Sequence, residues 1–184
     1  MKSNLFNKQL TDVDSVKTTI RPMSTHVDVE KILVYIDESQ QQDIKNALGD
    51  NLFIDLLRYV NREEGSPVND AYENLLYGGI YKNGNDEFIF SGLEKALKYF
   101  VYARLVKHGD RNLSRVGLMQ NQVEYSSHAE LKEKQEEYKD AFSVAEELMN
   151  DCLRYIKHNS DKFPKWRKGS ITPVRGPVIS KIGD

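Results

Sequence analysis

The chain has 184 residues, with 26 Lys and Arg against 28 Asp and Glu, a net charge of −2 and a single cysteine. That length fits one domain able to bury a sizeable core, and one cysteine excludes an internal disulfide framework. No stretch approaches the roughly 20 apolar residues of a transmembrane helix, and the opening MKSNLFNKQLTDVDSV has no apolar run of the signal-peptide kind, so the chain is expected to fold in a reducing cytoplasm.

Charge is unevenly spread. Residues 162–184 carry Lys162, Lys165, Arg167, Lys168, Arg175 and Lys181 against Asp184 alone, net +5; residues 1–24 are net +2, which leaves −9 on residues 25–161. An acidic body between basic ends directs attention to nucleic acid, to an acidic protein surface, or to neighbouring copies as partners.

Residues 1–24 show no sustained period and read as an extended arm, with room for a short helical turn. From Thr25 the pattern changes: Ile32, Leu33, Ile36, Gln40, Ile44, Ala47 and Leu48 form the stripe of an amphipathic helix that Gly49 ends. Asp50 is placed to cap a second helix with Leu52, Phe53, Leu56, Leu57 and Val60 facing inward. Ser66 followed by Pro67 marks a helix start for a short helix to about Tyr77, closed by Gly78 and Gly79. GIYKNGNDEFIF then reads as a β-hairpin turning at Asn83-Gly84.

Ser91-Gly-Leu-Glu94 is a capping box that opens a helix burying Leu93, Ala96, Leu97, Phe100, Val101 and Leu105 up to Gly109. Lys95, Lys98, Arg104 and Lys107 fall on what reads as its solvated side. Residues 110–126 are too long for a plain connection and predict a projecting loop or strand. Ser127-x-x-Glu130 opens the last helix, about His128 to His158, in which Leu131, Tyr138, Ala145 and Cys152 recur every seven residues, as do Phe142, Met149 and Ile156. The tail KFPKWRKGSITPVRGPVISKIGD contains three prolines that forbid a helix, yet Trp166, Ile171, Val174, Val178, Ile179 and Ile182 are too apolar for a plain linker. The expected fold is therefore mainly α: a helical bundle with a long C-terminal helix, one small β-hairpin, a projecting loop and extended arms, divided at 1–24, 25–161 and 162–184.

Motifs for chemistry are sparse. His26, His108, His128 and His158 are not spaced as metal ligands, and no cofactor or metal is expected. The adjacent carboxylates Asp37-Glu38, Glu63-Glu64, Glu136-Glu137 and Glu146-Glu147 point about 100° apart on a helix and read as solvated faces. No Gly-x-Ser-x-Gly, phosphate loop or dinucleotide fingerprint is present, so no catalytic residue is nominated and the chain is not expected to be an enzyme. KWRK at 165–168 is the one patch suited to phosphate, or equally to anchoring in a neighbouring protein.

Two runs, IDESQQQDIKNALGDNLFIDLL and YENLLYGGIYKNGNDEFIFSGLEKALKYFVYARLV, resemble the head–tail connector, or neck-ring adaptor, proteins of tailed bacteriophages. The particular likeness is to those of crAss-like and related phages of Bacteroidetes. Its marks are I-K-x-x-L-G-D-x-L-F, Gly-Gly-x-Tyr before a hairpin, Phe-Ser-Gly-Leu opening a helix rich in Tyr and Ala, and the later Gly117, over about residues 25–160. The resemblance implies a structural virion protein at the head–tail junction. It would form a homo-oligomeric ring, commonly twelve-fold in that family, beneath the portal protein, bind other neck or tail proteins, and let genomic DNA through its lumen without reading sequence. It further implies a portal- or neighbour-binding arm, comprising Lys165, Trp166, Arg167, Lys168, Ile171, Val174, Arg175, Val178 and Ile179, and a projecting loop with Arg115, Leu118, Met119, Gln120, Gln122 and Tyr125. The tail would add a strand to a neighbour's sheet. A second reading is a helical nucleic-acid-binding or packaging accessory that grips DNA with the basic tail, recognisable by steep salt dependence.

Overall fold

The computed structural model describes residues 8–24, 26–62, 69–109, 111–114, 117–120 and 131–166. The architecture is mainly helical, with a long C-terminal helix and an antiparallel hairpin. The elements are α1 (Val13–Thr19), α2 (Val29–Ser39), a π turn (Gln40–Ile44), α3 (Lys45–Leu48), α4 (Asp50–Val60), α5 (Asp70–Tyr77), β1 (Gly79–Asn83), β2 (Asp86–Phe90), α6 (Leu93–His108), β3 (Arg111–Ser114), β4 (Gly117–Gln120) and α7 (Leu131–His158).

Helices α6 and α7 form the spine and run antiparallel. Lys107 lies over the Tyr138 ring, Tyr102 donates to Glu137 at 2.9 Å, and Phe100 meets Phe142 edge-on at 5.3 Å. Ala96 and Ala103 on α6, and Ala141 and Ala145 on α7, are fully buried. The expected seven-residue stripe holds from Tyr138 onward but fails at Leu131, which is 63% exposed. Tyr138 lies beside Lys107, near the end of α6, so Leu131, two turns earlier, falls beyond the stretch where the stripe is covered by α6. The capping box at Ser127 and Glu130 lies outside the described residues.

The α2–α3 stripe has an internal defect with a clear cause. Ile32, Ile36, Gln40, Ile44 and Leu48 recur strictly every four residues. Each such step overshoots an α-helical turn by about 40°. The π turn compensates, its wider i→i+5 bond running from the Lys45 N–H to the Gln40 carbonyl, so all five side chains stay buried. Gly49, at φ 80°, then turns the chain into α4. Gly49 itself, not Asp50, occupies the cap position; Asp50 is the first helical residue and lies 3.4 Å from Lys45.

Two further helix starts differ from expectation. Helix α5 begins at Asp70, capped by the Asn69 side chain accepting from the Ala71 N–H at 2.8 Å, while residues 66 and 67 lie outside the described residues. Helix α6 begins after Gly92, with no side-chain cap from Ser91. The reason is steric: a Cβ on Gly92 would sit 2.4 Å from the Gly78 nitrogen and 2.5 Å from the Leu76 carbonyl, and one on Gly78 would sit 2.5 Å from the Phe90 carbonyl. The two glycines cross backbone against backbone, both at positive φ (88° and 86°), and this contact fixes how the hairpin leaves α5 and enters α6.

The hairpin pairs Gly79↔Phe90 through Asn83↔Asp86, so Gly84 and Asn85 form a two-residue turn. Positive φ at Gly84 alone fits a turn with Gly at its first central position. A second hairpin, β3 with β4 in the register Arg111↔Gln120 to Ser114↔Gly117, occupies the predicted loop.

The described residues before α2 and after α7 join the core. Leu10 and Val16 are buried, as are Phe163 and Trp166. Phe163 packs between Tyr72 at 5.2 Å and Tyr155 at 5.8 Å.

Gly92→Ala should destabilise the fold by about 1–3 kcal/mol, since the strained φ and the clash with Gly78 act together. Chemical denaturation measures it; an unchanged midpoint would mean the crossing relaxes freely.

Candidate functional site

The hairpin has two unlike faces because cross-strand partners share a side. Tyr81 and its partner Phe88 stack at 5.4 Å, and Tyr81 also meets Phe90 at 5.9 Å, Tyr155 at 5.4 Å and His158 at 5.8 Å. This face seats the hairpin on the C-terminal end of α7. The opposite face presents the pair Ile80↔Ile89, 66% and 80% exposed, beside the cross-strand ion pair Lys82–Glu87 at 3.0 Å. Tyr77, at the end of α5, is also exposed. Single exposed hydrophobics are ordinary; two β-branched residues directly opposite one another on a free sheet face form a contiguous apolar surface.

Along the spine, a set of polar contacts pins separate segments to it. Arg104 on α6 reaches Asp43 at 2.6 Å, Ser39 at 3.0 Å and Gln42 at 3.3 Å on the α2–π turn. Lys98 is almost fully buried and pairs with Glu94 at 3.0 Å. Glu94 also accepts from Thr11 at 2.9 Å and Ser15 at 3.1 Å on the N-terminal segment. Lys98 and Arg104 therefore do not belong to a solvated side. The buried Gln40 amide bridges the same segment, accepting from the Leu10 N–H at 3.2 Å and donating to the Lys8 carbonyl at 2.9 Å. Arg21 completes the series: it pairs with Glu137 and Asp140 and lies 5.7 Å from the Tyr102 ring centre. Glu137 is thus engaged, unlike the solvated pair expected at Glu136-Glu137.

The electrostatics follow from burial. Asp43 is held above the usual carboxylate range because its desolvation outweighs the pull of Arg104. Glu146 is pushed up by burial and by Asp43. Tyr102 is pushed up to about 12 by burial and by its bond to Glu137. The Cys152 thiol is raised by burial, which makes it a core residue and not a nucleophile. Among the described residues, no group of three His, Cys, Asp or Glu is placed to hold a metal ion, and every buried side-chain nitrogen or oxygen has a hydrogen-bond partner.

The expected arm begins differently from the sequence reading. Trp166 is buried in its own chain's core and Lys165 bonds Asp55 on α4 at 2.7 Å, so residues 162–166, expected to open the arm, pack against the helical body. The physical reason is the aromatic seat of Phe163 together with the Asn69 side chain donating to the Lys162 carbonyl at 3.1 Å. Arg167, Lys168, Ile171, Val174, Arg175, Val178 and Ile179 lie outside the described residues. Leu118, Met119 and Gln120 are on β4; Arg115, Gln122 and Tyr125 fall outside the described residues. The surface that sequence reasoning missed, Ile80↔Ile89, was legible in the alternation of GIYKN and DEFIF, whose register assigns one face inward and leaves the isoleucines outside.

The sequence profile of a family of unknown function, DUF6712, matches residues 44–174, well over half of the chain. The chain belongs to that family. The DUF6712 region begins in the π turn and takes in α4, the glycine crossing, both hairpins and the spine, and it leaves α1 and α2 outside. No curated protein and no solved structure matches the chain.

Trp166→Ala should lower stability by about 3–5 kcal/mol through the cavity it leaves, read as a fall in the urea midpoint; an unchanged midpoint would return Trp166 to an outward role. Arg104→Ala should cost about 3–5 kcal/mol near neutral pH by stranding the Asp43 carboxylate. The folded variant holds a proton on Asp43 at pH values where the unfolded chain has lost it, so the deficit against wild type should shrink as pH falls toward 4. Denaturation at two pH values tests this, and a deficit that grows in acid would contradict the burial assigned to Asp43.

Proposed function

We propose that this DUF6712 chain is a structural, non-enzymatic subunit of the neck of a tailed bacteriophage. Copies join into a ring beneath the portal protein, connect the DNA-filled head to the tail, and line the channel through which the genome passes. Its partners are other copies of itself, the portal and further neck or tail proteins; the DNA slides past without base-specific contact, and the chain resides in the virion.

The observation that carries this reading is the block from Tyr72 to Val106, which bears the resemblance to connector proteins. It folds as one unit, α5–hairpin–α6, held by the Gly78–Gly92 crossing and presenting Ile80↔Ile89 outward. A rigid helical body with an apolar sheet face on one end suits repeated contact with identical neighbours, since a ring needs a surface that meets a different surface on the next copy. The net charge of −9 on residues 25–161 suits a channel wall that repels DNA and lets it slide. The DNA-gripping alternative loses ground because Lys165 is paired with Asp55 and Trp166 is in the core, which removes half of the KWRK patch.

Ile80→Asp with Ile89→Asp puts two charges on a face that makes no contribution to the core. The double variant should fold with wild-type helicity and melting temperature. In particles complemented by it, head–tail joining should fail and filled heads without tails should accumulate in electron micrographs. Normal virion yield would count against the hairpin as a ring contact.

A further inference from the structure

The tip of the first hairpin holds a dipeptide whose chemistry goes beyond turn formation. Of the thirteen asparagines in the chain, Asn83 alone is followed by glycine. The side-chain amide carbon of an asparagine is an electrophile for the backbone nitrogen of the next residue. A side chain on that next residue obstructs the approach, and glycine has none. Asn83, Gly84, Asn85 and Asp86 are all exposed, and a Cβ on Gly84 would meet nothing within 4 Å. The bonds that close the turn belong to the flanking pair Asn83↔Asp86, which leaves the Gly84 nitrogen outside the ladder.

Other asparagines sit where the same attack is opposed. Asn46, Asn61, Asn69 and Asn159 donate their side-chain amides to main-chain carbonyls at 2.6, 2.6, 3.1 and 3.0 Å. Asn74 and Asn150 lie inside α5 and α7, where the following nitrogen is tied into the helix. Asn85 is followed by Asp86, whose own nitrogen helps close the turn. Among the described residues, Asn83 has none of these restraints.

We propose that Asn83 is a site of spontaneous covalent modification, losing its amide through a cyclic imide with Gly84 and loosening the turn end of the hairpin. The Gly84 nitrogen gives up its proton to solvent and bonds to the side-chain carbonyl carbon of Asn83. The bond from that carbon to the amide nitrogen breaks, and the amide takes a proton from solvent and leaves as ammonia. Water then opens the imide at one of its two carbonyls. Attack at the side-chain carbonyl yields aspartate. Attack at the main-chain carbonyl yields isoaspartate, in which the chain runs through the former side chain and is longer by one methylene. Overall, one water is consumed and one ammonia is released.

Both products add a negative charge beside Asp86 and Glu87. Only isoaspartate alters the main chain, and it does so in the pair Asn83↔Asp86 that closes the turn. Ile80↔Ile89 is the third pair further along the same ladder, so the outward face of the hairpin is within reach of the change. The reaction needs only water and does not depend on the neck-ring reading.

The test is ageing of the full-length folded protein in buffers of increasing pH, followed by peptide mapping with mass spectrometry. Asn83 should be the first asparagine to convert, giving both aspartate and isoaspartate. Its rate should rise with pH, because the attacking nitrogen must lose its proton. Retention of Asn83 while another asparagine converts, a product free of isoaspartate, or a rate indifferent to pH would overturn the proposal. Asn83→Gln, whose longer side chain disfavours the ring, should lose the fastest-forming isoaspartate and keep the wild-type circular dichroism; an undiminished yield would place the site elsewhere. The isoaspartyl fraction, separated by ion exchange, should exchange amide hydrogens faster over β1 and β2 than fresh protein, with α6 unchanged. Asn83→Asp, which carries the charge without the longer chain, should keep the protection of fresh protein. Equal protection in the isoaspartyl and fresh forms would refute the loosening.

Discussion

Everything in this molecule hangs on the contact between α6 and α7. Four alanines, Ala96, Ala103, Ala141 and Ala145, are fully buried along the two helices, so the backbones can come close while Phe100, Phe142, Met149 and Ile156 fill the remaining space. Burial of each large side chain contributes on the order of 1.5–3 kcal/mol, and no other pair of elements in the fold has a comparable length of shared surface. The hairpin, α2, the N-terminal strap and the segment through Trp166 are each short. None could persist alone, and each is attached to this spine at a different level.

How they are attached differs from how the spine is built. The spine is apolar. The attachments combine one or two apolar anchors with a directional polar contact: Leu10 and Val16 with Gln40 and Glu94, α2 with Arg104, Phe163 and Trp166 with Lys165–Asp55. Removing one member of a buried pair strands the other at a cost of several kcal/mol. That penalty, more than any net gain from the pair, specifies one position for each short segment. Among the described residues, the outward Ile80↔Ile89 pair of the hairpin is exposed and has no such anchor.

The sequence disclosed the elements better than their connections. Periodicity placed α4, α6 and α7 and gave most of the core, and the alternation in GIYKN and DEFIF gave the hairpin. It misled where a local signal competed with tertiary packing. Ser91 and Glu94 have the spacing of a capping box, yet the Gly78–Gly92 crossing sets the helix entry and Glu94 serves the strap instead. Arg104 and Glu137 look solvated by charge alone, but their hydrogen-bond partners are 35 to 116 residues away in sequence and no periodicity reveals them. Lys98 pairs with Glu94 four residues away, and tertiary packing around that pair buries it. Gln40 belongs to the stripe expected for one continuous helix; the strict four-residue steps through it were the signal for a π turn, and its amide is buried because the strap satisfies it. Trp166 read as an arm residue because prolines surround it, although a proline-bounded segment can also lie flat on its own core.

Electron microscopy of virions that carry this chain tests the central claim most directly. The account predicts a ring of this fold at the head–tail junction, with the Ile80↔Ile89 face in contact with another protein subunit and α7 belonging to the same rigid body as α6. Particles complete with head and tail in which the chain is absent from that junction would contradict it.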